Sequence, residues 1–201
     1  MEGMRPLLRL AATLVIVGCG SSGAPSRHEI IDSRDNYDPR SLDPALSTDV
    51  PTGRAVGYLF DGLTRFDPNA KVEPGLAERW DVTPDGLTYT FHLRRGVTFH
   101  DGSPFSSHNV LTSWQRALDP ATKSGAASFL FPIKGAREFN SGKATTVSGI
   151  TIRDDSTVVV TLAEPLAIFI KMLAMPVAAV VPAPDKLPTN FGERPIGTGP
   201  W

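Results

Sequence analysis

The segment from Trp80 to Pro120 constrains the fold most, because two strong periodic patterns follow each other there. In its first half, apolar residues alternate with polar ones, which is the period of a strand with one buried face: Leu87, Tyr89, Phe91 and Leu93. Trp80 and Val82 predict the partner strand, and Gly86 provides the residue that a tight reversal requires. The pattern therefore predicts an antiparallel hairpin that covers a core.

A helix is predicted directly after this hairpin. Asp101 and Gly102 form a turn that leads into it, and Ser106 or Ser107 can cap its first turn. One face of the helix is apolar and carries Val110, Trp114, Ala117 and Leu118. The helix should end at Asp119, since a residue that precedes proline resists the helical conformation.

The other periodic segments predict a mixed fold. They are helices over residues 52–61, 124–131 and 133–140, strands over 28–32, 63–66 and 178–181, a hairpin over 149–153 and 157–162, and a buried helix that Pro165 opens. Several strands are linked as hairpins, which favours an α/β or α+β domain over a wound parallel sheet.

Charge and composition exclude several function classes. The formal net charge is −1 and there is no basic stripe, so nucleic acid is not expected as a partner. His100 and His108 lie in no recognised metal-ligand spacing, so no metal or other cofactor is expected. Ser107 and His108 cannot form a nucleophile–base pair, because adjacent helical residues do not face each other. Stacking on Trp80, Trp114 or Tyr89 is conceivable, but their periodic positions favour the core.

The N-terminus is typical of an exported lipoprotein. Arg5 and Arg9 precede a short apolar run, residues 10–18, which ends directly before Cys19. The run is shorter than the roughly 20 residues that span a bilayer, so residues 1–18 are interpreted as a signal peptide. Residues 16–19 (Ile-Val-Gly-Cys) resemble a lipobox, which predicts lipid on Cys19 and a flexible tether over 19–27. The alternative is a plain signal peptide with a chance cysteine.

The chain resembles family 5 solute-binding proteins, the oligopeptide- and dipeptide-binding receptors of bacterial ABC importers. Four landmarks outside the Trp80 segment occur in the family's order: residues 41–44 (Ser-Leu-Asp-Pro), 58–63 (Tyr-Leu-Phe-Asp-Gly-Leu), 74–80 (Pro-Gly-Leu-Ala-Glu-Arg-Trp) and 197–200 (Gly-Thr-Gly-Pro). The resemblance implies a periplasmic-binding-protein-like type II fold. Residues 28–201 would then form the first lobe, with hairpins and flanking helices, and the second lobe would be absent. Residues 197–199 would be a tight crossing between lobes.

The resemblance also implies where a ligand binds. In oligopeptide-binding relatives an extended peptide pairs with a segment that follows the Leu-Asp-Pro turn, which here falls on Thr48, Asp49 and Val50. A second contact region corresponds to Ser124, Gly125 and Ala126. Ala126 replaces an aromatic residue of the relatives, and residues 107–110 (Ser-His-Asn-Val) replace Ala-Glu-Asp-Val at the helix start, which should alter the cap and leave the fold intact.

The implied function is capture of oligopeptides or dipeptides outside the cytoplasm. The protein would be a monomer anchored to the membrane through Cys19, would work with separate ABC permease and ATPase subunits, and would catalyse nothing. Two alternatives stay open: the same fold with another cargo, such as nickel, haem or a sugar, and a non-transport envelope lipoprotein or hydrolase.

Overall fold

A computed structural model of the chain describes residues 38–183 and 187–201. The helices are α1 (Val50–Leu59), α2 (Ser107–Leu118), α3 (Ala136–Asn140) and α4 (Phe169–Met172). The strands are β1 (Thr64–Phe66), β2 (Val72–Pro74), β3 (Ala77–Val82), β4 (Thr88–Leu93), β5 (Ile150–Asp154) and β6 (Thr157–Thr161). The signal peptide, the tether and the strand predicted over residues 1–32 lie outside the described residues. Within the described ranges, no helix has the length and apolar character needed to cross a membrane.

Two hairpins form one antiparallel sheet in the order β3-β4-β6-β5, and β1 and β2 pair separately. Both predicted hairpins and the mixed fold class are therefore confirmed. Tyr89, Phe91 and Leu93 of β4 are buried as predicted, whereas Leu87, just before the strand, is half-buried. The reversal between β3 and β4 depends on Gly86, whose φ of 70° lies in the left-handed region that glycine tolerates.

The helix α2 packs its apolar face against this sheet. Val110, Trp114, Ala117 and Leu118 are all buried, as the periodicity predicts. The helix begins after Ser106, whose backbone N–H donates to Asn109 Oδ1 at 2.9 Å, so the sequence departure at the helix start retains a cap. The indole N–H of Trp114 donates to the carbonyl of Ala178 at 2.9 Å, which joins the helix to a buried segment far along the chain.

Several predicted element bounds are wrong. Helix α1 starts two residues early, because Asp49 caps it and Pro51 is compatible with a first turn. The helices over residues 124–131 and 133–140 reduce to a 3-10 turn, Ala127–Leu130, and to α3. Residues 178–181 are buried as predicted, but they follow a 3-10 turn, Pro176–Ala178, and form no strand.

Pro165 does not open a helix, and α4 begins only at Phe169. After β6, Leu162 forms a bridge with Ile133 and the N–H of Ala163 donates to the carbonyl of Pro132 at 2.9 Å, and the chain then bends before it reaches α4. Phe169 is buried as predicted, but Ile168 is 53% exposed. Tertiary pairing has here overridden local helix propensity.

A partly buried ion pair connects the segment before α1 to α2. Arg116 Nη1 donates to Asp43 Oδ1 at 2.9 Å, and Nη2 donates to Asp43 Oδ2, which makes the pair bidentate. Asp43 also accepts the N–H of Ala45 at 3.0 Å, and the Arg116 guanidinium lies 5.8 Å from the centre of the Phe191 ring. The aspartate of the Leu-Asp-Pro landmark thus fixes the approach to α1.

We predict that the two faces of β4 respond differently to truncation. Phe91→Ala should lower the free energy of unfolding by about 3–5 kcal/mol, because Phe91 is fully buried. Thr90→Ala, its partly exposed neighbour, should change it by less than about 1 kcal/mol. Chemical denaturation followed by circular dichroism measures both values, and equal effects would contradict the observed strand register.

We also predict strong coupling between Asp43 and Arg116. Asp43→Ala should destabilise the fold by about 3 kcal/mol, because it leaves the guanidinium without its buried partner. A double-mutant cycle with Arg116→Ala separates the pair from the turn bond to Ala45, and a coupling of about 1–3 kcal/mol is expected. A coupling near zero would show that the pair contributes nothing beyond the turn.

Candidate ligand-binding groove

An open groove of about 770 Å³ runs along one face of α1. Its walls are formed by the entry to α1 and that helix face, by residues 60–66, by the segment after α2 and by the segment after α4. Its lining residues are Ser47, Thr48, Asp49, Val50, Gly53, Val56, Gly57, Phe60, Asp61, Gly62, Thr64, Arg65, Phe66, Gly125, Ala126, Phe129, Ala174, Met175, Pro176, Ala179 and Pro200. Five of the six ligand-contact residues predicted from the sequence therefore face one groove.

The first predicted segment lies at the start of α1. Thr48 and Asp49 precede the helix, and Val50 is its first residue with 69% of its surface exposed. Asp49 Oδ1 accepts the backbone N–H of Thr52 at 2.9 Å, and this hydrogen bond holds the pKa of the Asp49 carboxyl below its usual range. Among the described residues, the backbone N–H groups of Thr48 and Val50 have no hydrogen-bond acceptor. These two N–H groups are available to a ligand.

The second predicted segment faces the first one. Gly125 and Ala126 line the groove, but Ser124 does not, and its hydroxyl accepts the N–H of Ala126 at 3.3 Å. A Cβ atom on Gly125 would lie 2.9 Å from Thr48 Cγ2, so the two segments are in close contact. Because Ala126 is only 7% exposed, it offers a ligand little side-chain surface.

Sequence reasoning missed several apolar lining residues. Phe66 is 40% exposed at the end of β1, and Phe129 and Met175 line the groove after α2 and α4. An exposed aromatic residue in a predicted strand is a signal that could have identified Phe66. Phe129 and Met175 have no such signal, because each lies in an apolar run that is equally typical of the core.

The charged side chains of the groove already have partners. Asp49 caps α1, Asp61 Oδ2 accepts the hydroxyl of Thr198 at 3.1 Å, and Arg65 pairs with Glu73 at 2.8 Å. The described lining contains no histidine, cysteine or lysine, and the described part of the chain has no group of three or more potential metal ligands. The groove can therefore bind a ligand through backbone groups and apolar contacts, and it presents no nucleophile–base pair.

Residues 197–200 pass over the C-terminal end of α1 and reach the groove at Pro200. The N–H of Gly199 donates to the carbonyl of Leu59 at 3.0 Å. A Cβ atom on Gly197 would lie 1.9 Å from the Leu59 oxygen, so only glycine permits this approach. The motif makes a close approach to α1, and the crossing between lobes that the resemblance implies stays a prediction.

The mixed fold surrounds an open, largely apolar groove, which is a geometry typical of a ligand-binding protein. Residues 71–201 match the family described as bacterial extracellular solute-binding proteins, family 5 Middle. The chain belongs to this family, whose members bind solutes and are not enzymes. The family resemblance and the periplasmic-binding-protein-like fold predicted from the sequence are both confirmed.

Two curated relatives show the range of this family. The probable deoxycholate-binding periplasmic protein YgiS of Escherichia coli is 37% identical over 168 residues, which are 82% of this chain and 31% of that protein. The periplasmic oligopeptide-binding protein OppA of Haemophilus influenzae is 31% identical over 189 residues, which are 92% of this chain and 34% of that protein. The chain thus spans about a third of the length of these relatives.

Solved structures agree with this assignment. The crystal structure of Haemophilus influenzae OppA in complex with RPPGFSPFR matches with a TM-score of 0.76 and 32% identity, covering 80% of this chain and 33% of that one. The substrate-binding domain of an oligopeptide ABC transporter from Bacillus anthracis matches with a TM-score of 0.76 and 29% identity, covering 83% and 33%.

Proposed function

We propose that this chain is the peptide-binding part of an extracytoplasmic lipoprotein that serves an ABC importer. The observation that carries the proposal is the groove, which joins the segment around Thr48 to the segment around Gly125. The resemblance of the fold to a relative solved with RPPGFSPFR supports a peptide as the ligand. The protein delivers its cargo as a monomer to a permease, and a separate ATPase supplies the energy.

The ligand main chain pairs with the free backbone N–H groups of Thr48 and Val50. Pairing of this kind recognises peptides of any sequence, because only main-chain donors and acceptors are matched. Of the three predicted residues, Thr48 and Asp49 precede the helix, whereas Val50 already belongs to α1. Strand-like contact is therefore short, and the apolar side chains of Phe66, Phe129 and Met175 contact the ligand beyond it.

A second cargo class is a steroid acid. The relative named for deoxycholate binding is 37% identical, and a largely apolar groove suits a rigid apolar ligand. Such a ligand needs few backbone N–H groups. The two cargo classes thus differ in how much they depend on the N–H of Val50.

A proline at position 50 tests the peptide proposal. Proline is tolerated in the first turn of a helix, and Asp49 already has the extended φ of −126° and ψ of 162° that a residue before proline prefers. Val50→Pro should therefore retain the fold while it removes one N–H. NMR titration of the 201-residue chain with a tri- to pentapeptide pool should show shifts at Thr48 and Gly125 that Val50→Pro strongly reduces.

Val50→Ala is the matched control, because it shortens the same side chain and keeps the N–H. Its peptide titration should resemble that of the wild type, and deoxycholate serves as the competing ligand. Shifts with deoxycholate that Val50→Pro leaves unchanged, and none with peptides, would favour the steroid cargo. Binding is expected in the millimolar range, because the groove is open to solvent. Micromolar peptide binding by this chain alone would contradict that expectation.

We further propose export and anchoring through Cys19. The support is the sequence of residues 16–19, with its small residue before a cysteine that follows a short apolar run. Two or more acyl chains give stable attachment to a bilayer, since each buried methylene contributes about 0.8 kcal/mol.

Cys19→Ser should release the protein from the membrane fraction. Metabolic labelling with a radioactive fatty acid should mark the wild type and leave Cys19→Ser unlabelled. Ser21→Ala, two residues further along, is the control and should remain labelled. A wild-type protein that sediments with membranes without carrying label would refute the lipid anchor.

A further inference from the structure

Both ring nitrogens of His100 contact residues 197–199, which lead to the groove at Pro200. Its Nε2 lies 2.8 Å from the carbonyl oxygen of Gly199, and the N–H of Gly197 donates to its Nδ1 at 3.2 Å. The backbone N–H of His100 also donates to the carbonyl of Gly197 at 2.9 Å. One residue thus makes three hydrogen bonds to two glycines that lie 97 and 99 positions further along the chain.

These partners determine the protonation state of the imidazole. A carbonyl oxygen can only accept, so Nε2 must carry a hydrogen. A backbone N–H can only donate, so Nδ1 must be free of hydrogen. Only the neutral Nε2–H tautomer satisfies both bonds. The doubly protonated ring would direct an N–H at the N–H of Gly197 and would lose that bond.

The same segment is held on its other side by α1. The N–H of Gly199 donates to the Leu59 carbonyl, and the hydroxyl of Thr198 donates to Asp61. Pro200 follows directly and lines the groove. The position of Pro200 in the groove wall therefore depends on bonds from α1 on one side and from His100 on the other.

We propose that His100 is a positioning residue for residues 197–200 and that it acts only as the neutral imidazole. Histidine is the side chain that ordinarily changes its charge between about pH 5 and 8. The doubly protonated ring cannot accept the Gly197 N–H, so in that form only two of the three hydrogen bonds from His100 to residues 197–199 remain. The consequence for ligand binding rests on the proposed function, whereas the behaviour of the segment does not.

The charged groups around the segment come from several elements. Asp101 lies on the same loop as His100 and accepts the N–H and hydroxyl of Ser103, while Asp61 follows α1. Arg65 of β1 and Arg94 after β4 line a small pocket together with Asp61 and Thr198. Both ring nitrogens of His100 are occupied by backbone partners, so these groups act on the imidazole only through space.

Solution NMR of the full chain tests this proposal directly. A long-range proton–nitrogen spectrum should show the hydrogen of His100 on Nε2 at about pH 7.5. Exchange of the Gly197 amide, corrected for its intrinsic rate, should accelerate at least about tenfold between about pH 7.5 and 5.5. A hydrogen on Nδ1 at about pH 7.5 would overturn the proposal. So would exchange of the Gly197 amide that is as slow with the ring doubly protonated as it is with the neutral ring.

Two variants separate positioning from general stability. His100→Gln offers a donor and an acceptor that do not titrate, so it should keep the Gly197 amide protected at both pH values. His100→Ala should leave it unprotected at both, and His108→Gln, on the exposed side of α2, should behave as the wild type. The Trp114 indole signal reports whether each variant is folded. Acceleration in His100→Gln equal to that of the wild type would assign the effect to another group.

Peptide titration of the same proteins distinguishes this proposal from the proposed function. If both hold, acidification weakens peptide binding to the wild type and leaves binding to His100→Gln unchanged. If the exchange data follow expectation and no peptide binds at either pH, the positioning role stands and the peptide proposal fails. If the Gly197 amide exchanges faster at low pH and peptide binding nevertheless stays the same, the link between residues 197–200 and the groove is refuted.

Discussion

The ion pair between Asp43 and Arg116 is the interaction on which the arrangement of the groove depends. It joins the turn before α1 to α2, which packs on the four-stranded sheet, so the entry to α1 is held by the core of the fold. Because Asp43 is buried, loss of Arg116 leaves its carboxylate without compensation. The Leu-Asp-Pro landmark thus has a physical role: its aspartate holds the chain that leads to Thr48 against α2.

Sequence periodicity predicted the elements whose conformation follows from the pattern of their own residues. The hairpin from β3 to β4 and the helix α2 were recognised because their apolar residues repeat at the strand and helix periods over many positions. The segments after α2 and β6 were predicted less well, since their conformation follows from distant partners. The bond from Ala163 to Pro132 ties the chain to a distant segment directly before the predicted helix.

The groove was predictable only in part, for a related reason. The segments around Thr48 and Gly125 were found through the family resemblance, and the structure brings them together. Phe129 and Met175 could not be assigned, because burial against a core and exposure to a ligand require the same apolar residue types. His100 was recognised only as a poor metal candidate, and its backbone partners lie nearly a hundred residues away.

The contact between Gly125 and Thr48 has a consequence for how the protein family can diversify. A Cβ atom at position 125 would lie 2.9 Å from the Thr48 methyl group, so a side chain there requires Thr48 to move. That displacement would alter the shape of the groove and leave the four-stranded sheet and α2 unchanged. The outline of the groove can therefore change by substitution at one exposed position, while the residues that stabilise the core stay the same.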